Sequence, residues 1–215
     1  MLIGILLLIV SYLIGSIPFG LLIGKAAGKD IRQSGSGNIG STNVVRTLGF
    51  KLGLLSAVCD ITKGTIIILL IFILEASGIW FNPFVIGGDS LYILYGFAAV
   101  LGHCYSIYLK FTGGKAVATS LGVLFLTVPF SGVIALVCFT VVMLITGIVS
   151  LGSTFATISA LISAFIIYGI FENNIYTCIV LVAFALLIII KHIPNYKRII
   201  AGTESSFKKR KNVAK

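Results

Sequence analysis

Charged residues are scarce in this sequence, and acidic residues are the scarcest among them. Asp, Glu, Lys and Arg make up 10% of the 215 residues, and only six residues are Asp or Glu. Soluble domains carry about 25% charged residues, so the composition argues against a soluble fold. With 58% hydrophobic residues and a mean hydropathy of +1.14, the sequence predicts an integral membrane protein.

Metal-ligating residues are also few and widely spaced. The chain has two histidines and four cysteines, and no two cysteines have the CxxC spacing of a zinc site or a redox motif. The cysteines lie singly inside apolar segments, where we interpret them as packing residues. We therefore expect no metal ion, no cofactor and no disulfide framework, and the membrane character argues against a nucleic-acid partner.

Seven apolar segments organise the chain, and each is a candidate transmembrane helix. The first is longer than the apolar region of a signal peptide and has no charged segment before it, so we expect a retained span. The fourth rises only about 20 Å as a helix, against a hydrocarbon core of about 30 Å. The segments run over 2–24, 52–79, 91–109, 116–128, 131–149, 154–170 and 175–192.

The placement of positive charge sets the expected orientation. With seven crossings, the connections on one side hold the basic residues and a neutral break at 150–153. Those on the other side hold only Glu75, Asp89 and Glu172 as charges. Basic connections stay in the cytoplasm, which predicts an N-terminus outside and a C-terminus inside. One long helix across Pro129 would leave six crossings and place the basic tail outside, so we favour a short hairpin of the fourth and fifth segments.

These observations predict an all-α integral membrane protein with seven transmembrane helices. Residues 1–193 are expected to form the membrane domain, and residues 194–215 a basic cytoplasmic C-terminal tail. The polar connections that resemble motifs all lie on the cytoplasmic side of this topology, so we expect an active site that faces the cytoplasm. They run over 25–51, 110–116, 150–153 and 191–205.

The first polar connection holds a glycine-rich loop that ends in arginine. Its Ser36, Asn38, Asn43 and Arg46 supply hydroxyl, amide and guanidinium groups, which together with glycine backbone N–H groups are the donors that a phosphate requires. The loop matches the GxGxxG dinucleotide fingerprint, but no strand precedes it and no βαβ unit follows it. A solvated connector, and for Arg46 a contact with lipid headgroups, are the alternative interpretations.

A second glycine-rich stretch, Gly113-Gly114-Lys115, opens the fourth apolar segment. Backbone donors, a helix N-terminus and an ammonium group form another natural anion site. It is not a Walker A loop, because Leu109 stands at the first glycine position and Ala116 replaces the magnesium-binding hydroxyl. The alternative is a glycine hinge at a membrane turn.

Four titratable residues have competing structural and functional interpretations. Asp60 and Lys63 lie three residues apart in the second segment, on one face of a helix. A structural ion pair is preferred to a role in the site, because a lone charge there would be costly. His103 and His192 lie near an interface, where a hydrogen-bonded structural histidine is the first interpretation and a catalytic base the second.

A third polar stretch, from Lys191 to Glu204, follows the last segment. Its basic residues suit anionic lipid headgroups, whereas Asn195 and Glu204 are hard to explain as lipid anchors. The three stretches together resemble the PlsY family of bacterial acyl-phosphate:glycerol-3-phosphate acyltransferases. The matching motifs are SGNxGxTNxxR at 36–46, GHxxPxxLxFxGGKxVAT at 102–119, SLxS at 150–153 and HRxNIxRLxxGxE at 192–204.

The resemblance covers the whole chain, and its departures from the family pattern are local. Ser106 stands where proline is usual, Ile193 where arginine is usual, and Tyr196 where isoleucine is usual. The resemblance implies seven spans with an outside N-terminus in the bacterial cytoplasmic (inner) membrane. It also implies acyl phosphate, glycerol 3-phosphate and the lipid bilayer as partners, with the soluble enzyme that makes acyl phosphate as a further one.

The resemblance further implies roles for individual residues. Gly113 and Gly114 are expected to seat the acyl phosphate, and Glu204 is expected to be structural. His192 is a further candidate for the phosphate-binding site. The residues expected to line that site are Ser36, Arg46, Lys115, Ser153 and Asn195.

The implied reaction moves a fatty acyl group to the 1-hydroxyl of glycerol 3-phosphate, giving lysophosphatidic acid and phosphate. Because acyl phosphate is already activated, the enzyme needs mainly to position the substrates and stabilise an oxyanion, for which Lys115 and the two glycine amides are the candidates. The His-x4-Asp dyad of acyl-CoA-type enzymes is absent, so we expect a substrate phosphate to take the proton, with His192 as the second candidate. The rival interpretations are a small transporter of phosphorylated solutes and a non-catalytic scaffold.

Overall fold

The computed structural model describes residues 1–86 and 89–208, and this part of the chain is almost entirely helical. Apart from 3₁₀ turns at Ile31–Gln33 and Ile107–Leu109, the irregular elements are a π-helical segment, Phe165–Phe171, and two short antiparallel strands, β1 (Val85–Ile86) and β2 (Asp89–Ser90). The helices are α1 (Leu2–Ser16), α2 (Phe19–Ala26), α3 (Ser41–Leu48), α4 (Phe50–Ala76), α5 (Ile93–Cys104), α6 (Val117–Thr127), α7 (Pro129–Thr146), α8 (Val149–Ala164) and α9 (Ile175–Ile200).

Five helical stretches of the described chain are long and apolar enough to cross a membrane. They are α1 with α2, α4, α7, α8 with the π-helical segment, and α9. The other two apolar helices, α5 and α6, have 12 and 11 residues and rise only about 16–18 Å. The short fourth segment was expected, whereas the third is shorter than its apolar run predicts.

The third segment is short because its apolar sequence outlasts its helix. The α5 helix ends at Cys104, and the chain then turns back so that the Ser106 N–H donates to the Thr112 carbonyl at 3.3 Å. The apolar residues Ile107 and Leu109 lie in the 3₁₀ turn between these two positions. A hydropathy window cannot distinguish such a turn from a further turn of α-helix.

The boundaries near two prolines differ in kind. Pro129 is the first residue of α7, where its missing N–H costs nothing, so α6 and α7 are separate helices as expected. Pro194 lies inside α9, which continues to Ile200. The expected boundary between the membrane domain and the tail at residues 193–194 therefore falls within this helix, and the basic residues 209–215 of the tail lie outside the described residues.

The core lies where α4, α5 and α6 meet, and α7 packs closely against α8, as α1 does against α5. Ile68 and Ile71 of α4 and Val123 of α6 are fully buried. Large apolar side chains such as Ile73 and Val137 are instead half exposed, which is the surface that a membrane protein presents to lipid.

A buried ion pair joins α4 to the interruption between α1 and α2. The Lys63 ammonium lies 2.9 Å from a carboxylate oxygen of Asp60, and both side chains are only 2% exposed. The same ammonium donates to the Ile17 carbonyl at 2.9 Å, just before Pro18 breaks the helix. Asp60 and Lys63 therefore form the ion pair that their spacing predicted, and it holds the first span to the second.

Candidate active site

A cavity of about 490 Å³ opens between α3, α4, α6, α8 and α9, within the size range of small-molecule sites. Along α9 its lining residues run from Leu181 to Asn195, a distance of about 21 Å. One end is polar and the other is apolar. The polar end is lined by Ser36, Asn38, Arg46, Lys115 and Asn195, and the apolar end by Leu121, Leu124, Phe139, Ala160, Leu181 and Phe184.

Asn43 gives the first glycine-rich loop its shape. Its side-chain amide nitrogen donates to the carbonyls of Ile31 at 2.8 Å and Ser34 at 3.1 Å, and its Oδ1 accepts from the N–H of Ser36 at 2.8 Å. Both amide hydrogens are thus used by the backbone, and the side chain is 1% exposed. We expected Asn43 to contact substrate, and it does line the cavity. Its hydrogen bond to the Ser36 N–H also makes it the residue that holds Ser36 in place there.

Lys115 and Glu204 belong to one polar network at the end of α9. The Lys115 ammonium donates to Oδ1 of Asn195, whose Nδ2 donates to Oε1 of Glu204 at 2.7 Å. Glu204 also accepts from the Ser150 hydroxyl at 2.9 Å and from Arg198 Nε at 2.7 Å. Three hydrogen-bonding partners thus surround one carboxylate, which fixes the Asn195 amide that orients Lys115.

The charges of this network compete with burial. Burial lowers the pKa of Lys115 from 10.5 to about 8, Arg198 and Arg46 act in the same direction, and Glu204 opposes them. Burial would raise the pKa of the Glu204 carboxyl, but the hydrogen bonds from Asn195, Arg198 and Ser150 outweigh it and lower that pKa. The Glu204 carboxylate is therefore held in its charged form, whereas the Lys115 ammonium loses its proton at a lower pH than an ordinary lysine does.

Arg46 reaches the same end of the cavity from the last turn of α3. Its Nη2 donates to the Ser205 carbonyl at 3.3 Å, and its guanidinium carbon lies 5.4 Å from the centre of the Phe207 ring. Burial lowers the pKa of Arg46, partly opposed by Glu204, yet a guanidinium stays charged at any working pH. Arg46 is thus a permanent cation at the mouth of the cavity.

His192 lies on α9 one turn before this network and is 2% exposed. Its Nδ1 lies 2.8 Å from the Ile188 carbonyl, and because a carbonyl can only accept, Nδ1 carries the proton and Nε2 presents a lone pair. Ser153, on the facing helix, donates its hydroxyl to the Val149 carbonyl at 3.0 Å. Both residues line the cavity, and His192 has the tautomer that a base requires.

Gly113 and Gly114 lie against His103, which explains why they are glycines. A Cβ on Gly114 would come within 2.1 Å of His103 Nε2, and one on Gly113 within 2.2 Å of the His103 carbonyl oxygen. The Gly114 N–H donates to that carbonyl at 3.0 Å. The His103 ring in turn contacts Thr119 at 3.3 Å and the Asp60 carboxylate at 3.5 Å, so the buried ion pair supports the loop that carries Lys115.

A second cavity, of about 370 Å³, adjoins the first across Ser36, Asn38, Lys115 and Asn195. Gly113 and Gly114 line it, so the structure places them beside the first cavity rather than in it. The sequence predicted no role in substrate binding for three of its cations, because each lies in a basic connection with several equivalent charges. These cations are Arg32, Lys191 and Arg198.

The predicted site residues therefore fall into three groups. Lys63 alone among them lines neither cavity and lies behind the site, bound to Asp60. Gly113 and Gly114 line the second cavity only. The first cavity brings together Ser36, Asn38, Asn43, Arg46, Asp60, Lys115, Ser153, His192, Asn195 and Glu204.

This arrangement can hold an anion next to an apolar chain. Lys115 and Arg46 supply two cations, Asn195 and Ser36 supply further polar groups, and the groove behind them is apolar. In the described residues, 1–86 and 89–208, no group of three or more His, Cys, Asp or Glu side chains is arranged to hold a metal ion. A ligand with a phosphate head and a long hydrocarbon tail matches the polarity of the cavity.

Comparison with known proteins decides the family. A family model described as glycerol-3-phosphate acyltransferase matches residues 5–202. The chain belongs to this family. Among its relatives, the glycerol-3-phosphate acyltransferase of Macrococcus caseolyticus is 43% identical over 202 residues, covering 93% of this chain and 94% of the relative. That of Bacillus subtilis is 43% identical over 204 residues, covering 94% and 97%.

Two solved structures of the family share the fold. The crystal structure of PlsY (YgiH), described as an integral membrane glycerol 3-phosphate acyltransferase in its glycerol 3-phosphate form, superposes with a TM-score of 0.80 at 38% identity, covering 95% of this chain and 96% of that one. The lysophosphatidic acid form has a TM-score of 0.78 at 36% identity, covering 95% of each chain. The predicted resemblance to the PlsY family is thereby confirmed, as is the integral membrane character of the fold.

Proposed function

We propose that this chain transfers a fatty acyl group from acyl phosphate to the 1-hydroxyl of glycerol 3-phosphate. The products are lysophosphatidic acid and inorganic phosphate, and the reaction is the first acylation of phospholipid synthesis. Membership of the family supports an acyltransferase that uses glycerol 3-phosphate. The acyl phosphate donor and the residue roles are the finer part of the proposal.

The shape and polarity of the main cavity carry this proposal. Its polar end gathers Arg46, Lys115 and Asn195, and its lining runs about 21 Å along α9 from Asn195 to Leu181 at the apolar end. A phosphate with an attached acyl chain needs cations at one end and hydrocarbon at the other. The second cavity, with its four cations, offers room for a second anion beside the first.

The reaction needs little covalent chemistry from the protein. The 1-hydroxyl oxygen attacks the acyl carbonyl carbon, the new ester C–O bond forms, and the bond from that carbon to the phosphate oxygen breaks. Lys115 and the amide of Gly113 stabilise the oxyanion, because the Gly114 N–H is already bonded to the His103 carbonyl. Ser36 and Asn195 hold oxygens of the acyl phosphate, and Arg46 holds the phosphate of glycerol 3-phosphate. Positioning and charge stabilisation of this kind account for most of the rate in comparable reactions.

The hydroxyl proton passes to the departing phosphate, which leaves as inorganic phosphate. Lys115 is compatible with this proton transfer. Because its pKa is about 8, it is already protonated below that pH, so it neutralises part of the phosphate charge without taking the hydroxyl proton. His192 is the second candidate, since its Nε2 lone pair faces the cavity side of α9. His192→Ala with normal binding of glycerol 3-phosphate but no turnover would favour the histidine.

The proposed setting is the cytoplasmic membrane of a bacterium, with α5 and α6 completing seven crossings. Both sets of site loops and the end of α9 then face the cytoplasm, with the N-terminus outside, where the soluble enzyme that makes acyl phosphate can reach them. Reporter fusions test this orientation. A fluorescent protein fused after Lys215 should fluoresce and alkaline phosphatase fused there should be inactive, with the reverse at Met1.

The deciding experiment is product formation by the purified protein. Glycerol 3-phosphate is supplied with either palmitoyl phosphate or palmitoyl-CoA, and lysophosphatidic acid is measured. We expect product from palmitoyl phosphate only, lowered at least about a hundredfold by Arg46→Ala and unchanged by Lys51→Ala, which removes an exposed cation at the start of α4.

Two other outcomes redirect the proposal. Product from palmitoyl-CoA would overturn the choice of donor while leaving the acceptor intact. No product from either donor in a folded preparation would favour the transporter interpretation, and uptake of glycerol 3-phosphate into liposomes would then be measured.

A further inference from the structure

The last described segment of the chain, residues 203–208, crosses from the end of α9 to the end of α7. We call these residues the strap. It begins at the network around Glu204, passes Arg46, and ends against the carbonyl groups that close α7. The family model matches residues 5–202, so the strap lies just beyond the matched region.

The strap docks by capping the C-terminus of α7. Three successive carbonyls there receive donors from it: Ile145 from the Lys208 ammonium at 2.7 Å, Thr146 from the Ser206 hydroxyl at 3.5 Å, and Gly147 from the Phe207 N–H at 2.9 Å. The last carbonyls of a helix have no partner within the helix, and a lysine there also complements the helix dipole. The docking is therefore specific rather than a loose crossing.

Gly147 is the position that allows this approach. Its φ is +72°, and a Cβ there would lie 2.5 Å from the Ser206 hydroxyl oxygen and 2.9 Å from the backbone nitrogen of Lys208. Any other residue would be strained in this conformation and would push the strap away. A single substitution at Gly147 thus undocks the strap without changing a side chain of the cavity.

The docked strap holds Arg46 in two ways. The Phe207 ring lies under the face of the guanidinium, with 5.4 Å from its centre to the guanidinium carbon, and the Ser205 carbonyl accepts one N–H from Nη2 at 3.3 Å. A guanidinium has five N–H donors along its edge. The ring occupies a face and the carbonyl one donor, so the remaining donors stay available for a bidentate grip on phosphate.

We propose that the strap, through Phe207 and Ser205, is a positioning element that holds Arg46 ready for the phosphate of glycerol 3-phosphate. This inference rests on the proposed function, which assigns Arg46 to that phosphate. A long arginine side chain that is already held loses less freedom when substrate binds. The strap therefore raises the affinity for glycerol 3-phosphate by holding Arg46, without contacting that substrate itself.

The test compares strap variants by their KM for each substrate, their kcat and their thermal midpoint. Phe207→Leu should raise the KM for glycerol 3-phosphate about threefold to tenfold with little change in kcat, and Phe207→Tyr, which keeps the ring, should restore it. Gly147→Ala should produce a similar rise in the KM for glycerol 3-phosphate, because the added Cβ pushes the strap away from α7. The KM for palmitoyl phosphate should stay within about twofold in all three.

A matched pair of truncations removes the whole element. A chain that ends at Lys208 keeps every described contact of the strap and should behave as wild type, whereas a chain that ends at Glu204 should raise the KM for glycerol 3-phosphate about tenfold to a hundredfold. Unchanged KM values in Phe207→Leu and in the chain that ends at Glu204 would overturn the proposal. So would a parallel loss of both affinities and of thermal stability, which is the signature of a helix cap alone.

Calorimetric binding of glycerol 3-phosphate separates this inference from the proposed function. If wild type bound glycerol 3-phosphate but made no product, the proposed acyl transfer would fail, and weaker binding by Phe207→Leu would still support the strap. If wild type were active and all strap variants bound glycerol 3-phosphate equally well, the strap proposal would fail and the acyl transfer would stand.

Discussion

The pKa of Lys115 predicts a loss of activity in mildly alkaline solution. Burial, aided by Arg198 and Arg46, lowers this pKa from 10.5 to about 8, so at pH 9 about one-tenth of the Lys115 side chains in the free enzyme remain charged. The second pKa of a phosphate lies near 6, so glycerol 3-phosphate keeps its charge over this interval. We therefore expect kcat/KM for glycerol 3-phosphate to fall about tenfold for each pH unit above 8.

The assay is the initial rate of lysophosphatidic acid formation at limiting glycerol 3-phosphate. It runs from pH 6.5 to 9.5 at constant ionic strength, with non-enzymatic hydrolysis of acyl phosphate subtracted. Lys115→Arg is the matched control, because a guanidinium stays charged above pH 12 and the break near pH 8 should disappear whatever the absolute rate. A wild-type profile that stays flat to pH 9.5, or an unchanged break in Lys115→Arg, would show that the charge on Lys115 does not control the rate.

Five further predictions concern the loops, the network and the metal requirement. Asn43→Ala should lower the free energy of unfolding by roughly 2–3 kcal/mol, because it leaves buried backbone groups unpaired, and thermal unfolding in detergent measures this. Glu204→Gln should lower the thermal midpoint by about 5 °C or more, since Arg198 then faces no charge. The pKa of Glu204 is lowered from 4.5, so the ionised carboxylate contributes its full stabilisation of the fold above that pH. This contribution is lost as the pH falls below 4.5, and acid titration of the thermal midpoint checks it. Gly114→Ala should raise the KM for acyl phosphate about tenfold or more by displacing the loop from His103, and an unaltered KM would contradict that. Turnover should persist in excess EDTA, and a loss reversed by a divalent cation would reveal a metal requirement.

The membrane character and most helix positions were predictable because they depend on composition along the chain. All seven apolar segments contain a helix, and the break at Pro129 follows from the proline itself. The end of α5 at Cys104 was not predictable, because Ile107 and Leu109 are as apolar in a turn as in a helix. The extension of α9 through Pro194 was not predictable either, because a proline inside a helix usually ends or kinks it.

The candidate site shows the same division between local and distant information. Motif residues such as Ser36, Lys115 and Asn195 were found because their chemistry and spacing are visible in the sequence. The use of Asn43 by the backbone was not visible, since it depends on where Ile31 and Ser34 fold. The contact of Phe207 with Arg46 joins residues far apart in the chain and belongs to no pattern that one sequence displays.

The buried Asp60–Lys63 pair has a consequence for how the protein is made. A charged residue in a membrane helix is costly, about 2.5–3.5 kcal/mol at the helix centre on insertion scales, and α4 carries two such residues near its middle. Their partners come from elsewhere, the Ile17 carbonyl from the first span and His103 from α5. Helix α4 is therefore fully stable in the bilayer only when the first span and α5 are packed against it. During synthesis the first hundred or so residues must therefore assemble as a single unit. When only the chain through α4 has been made, Asp60 still lacks His103, which comes later with α5.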